Sequence, residues 1–281
     1  MLLGGTHLSK QALAGGVISQ RFEMKYRLTA YQAEVIRQYI APYVEPDSKA
    51  KFGHRYQLSS VYLDDDKLSL FWASNLGENK RFKLRIRTYT EDGSEPNFFE
   101  IKSRLNGIVM KKRAMVRKEW LTPFLEGRPL PPEAMVTDDP SQLENLELFR
   151  AYVSRLNATP KVHVRYWREA YNSRFGDPVR ITFDSDVACL PSVGWVDYVH
   201  LNGRGWRRLF EPYVILEIKF TDTFPSWVQD LIYRFDLLRD SYAKYVYSVR
   251  LLKNEGYDIK RPAAGIRQTV IRGGNGNGRH G

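Results

Sequence analysis

Cysteine occurs once in the 281 residues, at Cys189. That excludes an internal disulfide and any thiolate cage around a metal, and a reducing, cytoplasmic setting is the simplest expectation. No apolar run approaches the ~20 residues needed to span a bilayer. Residues 1–17 hold a single lysine, Lys10, and no long apolar core, so they make a poor signal peptide. The chain has no G-x-x-x-x-G-K-[ST] loop and no kinase H-R-D or D-F-G set, which excludes the standard nucleotide cradles. Its five histidines (His7, His54, His163, His200 and His280) are scattered, and a lone histidine is more often structural than a ligand. Ser59, Ser60 and Ser103 have no paired base at useful spacing. Asp64-Asp65-Asp66 reads better as a helix-capping turn than as a metal site.

Acids are missing from the two ends. Lys10 is the only charge before Arg21, and Lys260, Arg261, Arg267, Arg272 and Arg279 follow Asp258 unopposed. The formal charge is +11, and without these six cations the body retains +5. Such an excess fits an anionic ligand and ordinary solubility equally well. Residues 1–17 and 259–281 cannot bury enough apolar area to offset ordering, so both are expected to be unstructured, leaving one domain over 18–258. Nothing in the tail points to specific nucleic-acid binding. A monomer or weak homo-oligomer is expected.

What the body does contain is alternation. In Lys83-Leu84-Arg85-Ile86-Arg87-Thr88-Tyr89 the cations fall on one face of a strand and the apolar residues on the other. For one such strand, a solvated outer face is the plainer reading. The pattern recurs, however. Arg21 to Leu28 alternates charge with Phe22, Met24, Tyr26 and Leu28. Phe98 to Arg104 sets Glu100, Lys102 and Arg104 opposite Phe99 and Ile101. Ile108 to Trp120 carries Lys111, Lys112 and Arg113, and Val162, Val164, Tyr166 and Arg168 share a face. Arg180, Thr182, Asp184 and Asp186 share another, and Val214 to Phe220 sets Glu217 and Lys219 against Leu216, Ile218 and Phe220.

Helices are expected where the period changes. Thr29 with Gln32 is a capping box for a helix through Ile36 and Ile40. A short helix should hold Leu68, Leu70 and Phe71, and a longer one should span Ser141 to Leu156. Ser226 with Gln229 should cap another, and Lys244 sits in a final element. Asn106-Gly107 and Asn202-Gly203 read as hairpin turns, Asp92-Gly93-Ser94 as a turn, and Pro123 to Pro140 as a loop. Strands, helix and strands again, with helices as caps, make an α+β protein with a dominant antiparallel sheet.

The alternation alone leaves two architectures standing. An open sheet would wet its charged faces; a closed barrel would turn them into a lumen and cover the apolar outside with helices. A lumen of cations is costly unless water or an anion fills it, and arginine forks and lysine point charges suit phosphate. Carboxylates dispersed among the cations suggest a hard divalent cation bridging phosphates.

The series Arg21-x-Glu23-x-Lys25-Tyr26, Lys83-Leu84-Arg85-x-Arg87-x-Tyr89, Phe99-Glu100-x-Lys102, Tyr166-x-Arg168, Val179-Arg180-Ile181-x-x-Asp184, Leu216-Glu217-x-Lys219 and Ser241-x-x-Lys244-Tyr245 resembles the VTC domain. That is the polyphosphate polymerase domain of vacuolar transporter chaperone complexes, within the CYTH-like triphosphate tunnel metalloenzymes. The resemblance implies an antiparallel β-barrel tunnel of about eight strands with capping helices, and transfer of the γ-phosphate of ATP to a growing polyphosphate chain. It implies Mn2+ or Mg2+ as cofactor, and ATP with polyphosphate or pyrophosphate as partners. Carried over motif by motif, Lys25, Arg85, Arg87, Lys102, Arg168, Arg180 and Lys244 form the phosphate-binding set. Arg21, Lys83, Lys111, Lys112, Arg113 and Lys219 are secondary candidates. Glu217 matches the metal-binding glutamate, with Glu23, Glu100 and Asp184 as further candidates. Arg21 replaces the first acid of the superfamily's E-x-E-x-K opening, which favours a polymerase over a triphosphatase; a triphosphatase or a noncatalytic polyphosphate-binding module is the alternative. With no inositol-phosphate-sensing SPX module and no membrane span, a stand-alone catalytic domain is expected.

Overall fold

A computed structural model of the protein describes residues 21–47, 55–89, 96–106, 108–176, 179–192, 205–221 and 224–259, without the side chains of Arg21 and Leu125. Ten strands and six α-helices are present among them. The strands are β1 (Arg21–Leu28), β2 (Val44–Pro46), β3 (Arg55–Asp64), β4 (Lys80–Thr88), β5 (Asn97–Leu105), β6 (Ile108–Val116), β7 (Thr159–Ser173), β8 (Arg180–Pro191), β9 (Arg207–Arg208) and β10 (Val214–Thr221). The helices are α1 (Ala30–Ile40), α2 (Ser69–Asn75), α3 (Leu121–Leu125), α4 (Pro140–Leu156), α5 (Ser226–Arg234) and α6 (Lys244–Asn254).

Eight strands pair antiparallel in the order β1-β10-β8-β7-β3-β4-β5-β6, with β2 added to β7 and β9 to β8. Among the described residues β6 and β1 are not hydrogen-bonded to each other, so the barrel is not closed by its backbone. The sheet is nevertheless strongly curled. Six strand spacings separate β1 from β5, about 29 Å if the sheet were flat. Yet Lys102 Nζ on β5 reaches Glu23 Oε2 on β1 at 3.1 Å. The seam is bridged by side chains, and by the stretch after α5, where Arg239 pairs with Tyr26 and the Asp240 N–H donates to the Lys25 carbonyl.

Curling puts the charged faces inside. On the outer face, Tyr26, Leu28, Ile181, Phe183, Leu216 and Ile218 pack under α1 and α5. Leu84, Ile86, Phe99, Ile101 and Ala114 pack under α3 and α4. Only one end of the inner face is apolar. There α6 buries Tyr245, Val246, Val249 and Leu252 against Leu58, Tyr62, Val162, Val164 and Tyr166. Each such side chain removed from water contributes roughly 1.5–3 kcal/mol, so α6 is a firm plug.

Local signals mostly act as expected. Thr29 and Gln32 form the reciprocal capping box of α1. Leu105 pairs with Ile108 across a two-residue turn in which Asn106 has φ 49°, the left-handed conformation such turns require. The cap of α5 differs: Pro225, not Ser226, is the N-cap and no side chain caps it, so Ser226 is the first helical residue. The proline-rich stretch also differs, holding α3 and a 3-10 turn at Pro132–Ala134. Ile259, read as the start of the tail, is buried in the cluster around α6. The expected turns at Asp92-Gly93-Ser94 and Asn202-Gly203, the unstructured start and the tail beyond Ile259 lie outside the described residues.

Candidate functional site

Cross-strand register stacks the inner side chains in rows. Arg85 of β4 faces Glu100 of β5, which faces Arg113 of β6. Two residues along, about 7 Å further, Lys83 faces Lys102 and Lys102 faces Lys111. Three lysines side by side repel one another, since like charges directly opposite destabilise a sheet. Such a row persists only where something anionic meets it. Among the described residues no carboxylate forms an ion pair with Lys83, and burial lowers its pKa to about 8.

Glu100 holds the first row together. Its side chain is fully buried, with Arg85 at 2.6 Å and Lys111 at 3.1 Å, and Arg113 donates to it at 2.6 and 2.8 Å. Burial opposes its charge, but Arg85, Arg87, Lys111 and Arg113 hold its pKa far below the ordinary carboxylate value. Arg87 is less well neutralised: its nearest Glu100 oxygen is 4.0 Å away. It donates instead to Ser60 Oγ at 3.1 Å and to the Tyr166 hydroxyl at 3.3 Å. The phenols record the resulting field. Burial should raise Tyr62 and Tyr89, yet Arg85 and Arg87 pull Tyr62 to about 8, and Arg87 and Arg113 pull Tyr89 to about 8. Only an excess of positive charge moves a buried phenol in that direction.

Across the lumen, Asp184 of β8 accepts both prongs of Arg168 from β7, at 2.6 and 2.8 Å, and also the Lys244 ammonium from the first residue of α6. Lys25 of β1 lies between Glu23 at 2.7 Å and Glu217 at 3.6 Å. Burial disfavours its charge, but the two carboxylates raise its pKa above the ordinary lysine value. Glu217 is also paired with Lys219, and Glu23 with Lys102. Glu217 lies well below the carboxylate range, and Glu23 falls to about 2, because the lysines outweigh burial and mutual repulsion.

The structure thus gathers Lys25, Arg85, Arg87, Lys102, Arg168, Arg180 and Lys244 on the inner face from five strands and one helix. Arg180 is the outlier, pairing with Asp47 at 2.6 Å beyond β2. Lys83, Lys111, Arg113 and Lys219 also face inward. Lys112 does not: it is paired with outward-facing Ile101, so it leaves the phosphate-binding set. Arg21 begins β1, and its side chain lies outside the described residues.

The four acidic candidates divide. Arginine guanidinium groups hold both oxygens of Glu100 and of Asp184, which leaves neither open to a divalent ion. Among the described residues no three His, Cys, Asp or Glu side chains are grouped to hold a metal. Glu23 and Glu217 are held by lysines alone, Lys25, Lys102 and Lys219, whose single ammonium contacts a divalent ion could displace. Two neighbouring carboxylates supply hard oxygen donors, and magnesium or manganese fills the rest of its shell with water and substrate phosphates.

Sequence reasoning missed Tyr62, Tyr166 and Ser60, whose hydroxyls hold the arginines through pairings visible only in three dimensions. It also missed Arg81 and Arg239, which line a cavity of about 410 Å3 together with Glu23, Lys25, Lys83 and Lys102. Arg81 was legible, because it continues the parity of Lys83, Arg85 and Arg87.

A pH dependence follows from the lysines. Lys83 and Lys111 both titrate near 8, because burial lowers them. Their charge is complete below that value and lost above it. Affinity for tripolyphosphate, measured calorimetrically, is therefore expected to fall as pH rises from 7 to 9. Lys83→Met should weaken binding at pH 7 and flatten the profile; an unchanged profile would remove Lys83 from the anion site.

The curled antiparallel sheet lines its inner face with rows of arginine and lysine. The family model for the VTC domain matches residues 20–253. The chain belongs to the VTC domain family, and its class is that of the triphosphate-tunnel proteins. Comparison with curated proteins gave no match. Among solved structures, a provisionally named adenylate cyclase of Bacillus halodurans is similar with TM-score 0.46 and 12% identity, covering 79% of this chain and 93% of that one. The PH1819 protein of Pyrococcus horikoshii OT3 has TM-score 0.40 and 14% identity, covering 83% and 99%. A second provisionally named adenylate cyclase, from Vibrio parahaemolyticus, has TM-score 0.40 and 12% identity, covering 81% and 97%.

Proposed function

We propose that this protein is a polyphosphate polymerase, which transfers the γ-phosphoryl group of ATP to the end of an inorganic polyphosphate chain inside the tunnel. The observation that carries the reading is the row Lys83–Lys102–Lys111 beside Arg85 and Arg87, five cations that share the carboxylates of Glu23 and Glu100, with none in an ion pair with Lys83 among the described residues. In the transfer, the bond between the γ-phosphorus and the β-bridging oxygen breaks, and ADP leaves with the electron pair. A terminal oxygen of the acceptor forms the new bond to phosphorus. That oxygen is already ionised, so no protein base or nucleophile is needed, and catalysis is alignment with charge neutralisation.

Lys25, Arg85, Arg87, Lys102, Arg168, Arg180 and Lys244 take the roles of phosphate ligands. Arg85 and Arg168 are held in place by Glu100 and Asp184, and Lys244 is presented at the start of the plug helix. Glu23 and Glu217 would hold Mn2+ or Mg2+, which supplies Lewis-acid neutralisation of phosphate oxygens when bound. The remaining residues bind and orient: Ser60 and Tyr166 fix the Arg87 fork, and Tyr62 fixes that of Arg85 at 3.3 Å. Water in place of the acceptor would make the same cradle a triphosphatase.

Pure protein incubated with ATP and manganese, with products resolved on a gel, tests the reading. A ladder of lengthening chains is expected. Orthophosphate alone would mean a triphosphatase, and no product with retained tripolyphosphate binding would mean a binding module. Arg87→Ala is expected to weaken tripolyphosphate binding by about 1.5–3 kcal/mol. A folded variant binding like the wild type would take Arg87 out of the cradle.

A further inference from the structure

The basic rows do not stop at the three lysines. Two residues further along the same strands, Arg81 of β4 stands directly opposite Arg104 of β5, a second like-charged cross-strand pair. Arg104 depresses Arg81, after burial, as expected for two cations facing each other. Among the described residues Arg81 donates to the Glu78 backbone carbonyl, a neutral acceptor. Arg239 comes to the same cavity from the opposite side, brought there by its pairing with Tyr26. Two carboxylates also line the cavity. Glu23 is taken up by Lys25 and Lys102, and Asp240 accepts the Ser241 N–H at 2.5 Å. Like charges opposed across two adjacent rows repel one another, and an anion running along both would relieve that repulsion.

We infer that Arg81, Arg104 and Arg239 form a second polyanion subsite at the tunnel mouth, which takes the part of a phosphate chain that extends beyond the cradle. The inference rests on the phosphate-binding reading of the tunnel and adds a preference for length. From the Glu100 row to the Arg81 row is about 14 Å along the strands, four residues of rise. That span exceeds what three linked phosphates cover, so a triphosphate engages the inner rows and only a longer chain reaches the arginine pair. Lys25, Lys83 and Lys102 line the cavity beside the three arginines, a cationic wall that suits a hydrated polyanion.

The test measures binding of tripolyphosphate, a long polyphosphate and ATP to wild-type protein and to the double variant Arg81→Gln/Arg104→Gln, by calorimetry across a salt series. Long-chain affinity is expected to fall about tenfold or more in the variant and to become less salt-dependent. Tripolyphosphate affinity should stay within about twofold. The pair Arg81→Lys/Arg104→Lys, which keeps the charge, should restore most of the long-chain binding. Equal loss for both phosphate ligands would make the arginines part of the inner cradle and overturn the subsite. Loss confined to ATP would assign the mouth to the nucleoside and overturn it too, as would no loss at all. Wild-type protein that binds no phosphate ligand would instead remove the tunnel reading itself.

Discussion

Glu100→Gln is expected to cost about 3–5 kcal/mol of stability in urea denaturation, the loss that follows when one partner of a buried ionic cluster is removed. Arg85, Lys111 and Arg113 all touch this one carboxylate, with Arg87 just beyond. The glutamine keeps the volume and leaves those cations facing one another. Saturating tripolyphosphate should recover part of the loss by mass action, because a bound anion takes over the neutralising role. The wild type should show the matching pH dependence. Glu100 has its pKa depressed in the folded state, so its stabilisation is present above the unfolded value of about 4.3 and disappears as pH falls below it. Glu217 and Asp184 shift in the same direction and steepen that loss. A variant within about 1 kcal/mol of the wild type and equally acid-sensitive would show that the arginines do not depend on Glu100.

Glu217→Gln is expected to lower polymerase turnover by roughly two orders of magnitude, the several kcal/mol that a divalent ion supplies at a phosphoryl centre. The midpoint of the manganese titration should rise with it. Glu23 remains to pair with Lys25 at 2.7 Å, so the fold should persist. Manganese binding followed by electron paramagnetic resonance, with tripolyphosphate present, reads the same residue without turnover. If Glu217 serves only as the ion-pair partner of the two lysines, stability falls while the metal titration stays put, and the assignment fails. Glu23→Gln should show a weaker form of the same shift, since Glu23 shares Lys25 with Glu217.

Much of the architecture was legible because it is local. Charged and apolar residues alternate over Arg21–Leu28, Phe82–Arg87, Phe99–Lys102 and Leu216–Phe220, so the two faces of those strands could be assigned before any pairing was known. The capping box at Thr29 and the turn at Asn106 obeyed backbone rules that involve only a few residues. Pro225 shows the limit of such rules: a serine with glutamine three residues on carries the cap signature, but the preceding proline took the N-cap position. The parity of Lys111 to Arg113 could not be settled beforehand, since three consecutive cations offer no alternation; the pairing of Lys112 with Ile101 turned it outward. The metal set illustrates the same limit. Glu23, Glu100, Asp184 and Glu217 are four acids among cations in the sequence, and only distances separate the two held by arginines from the pair held by lysines alone.

By itself, then, the sequence determined that several strands would each carry a charged face and an apolar face, that helices would cover the apolar ones, and which basic and acidic residues were available. The tertiary structure decided that the charged faces turn inward, that β1 and β5 meet through Lys102 and Glu23, and that α6 plugs one end of the lumen. It also decided that Lys83, Lys102 and Lys111 line up in one row. The physical reason is that a period of two is the same whichever face is buried, whereas curvature and cross-strand register come from pairings between residues far apart in the chain.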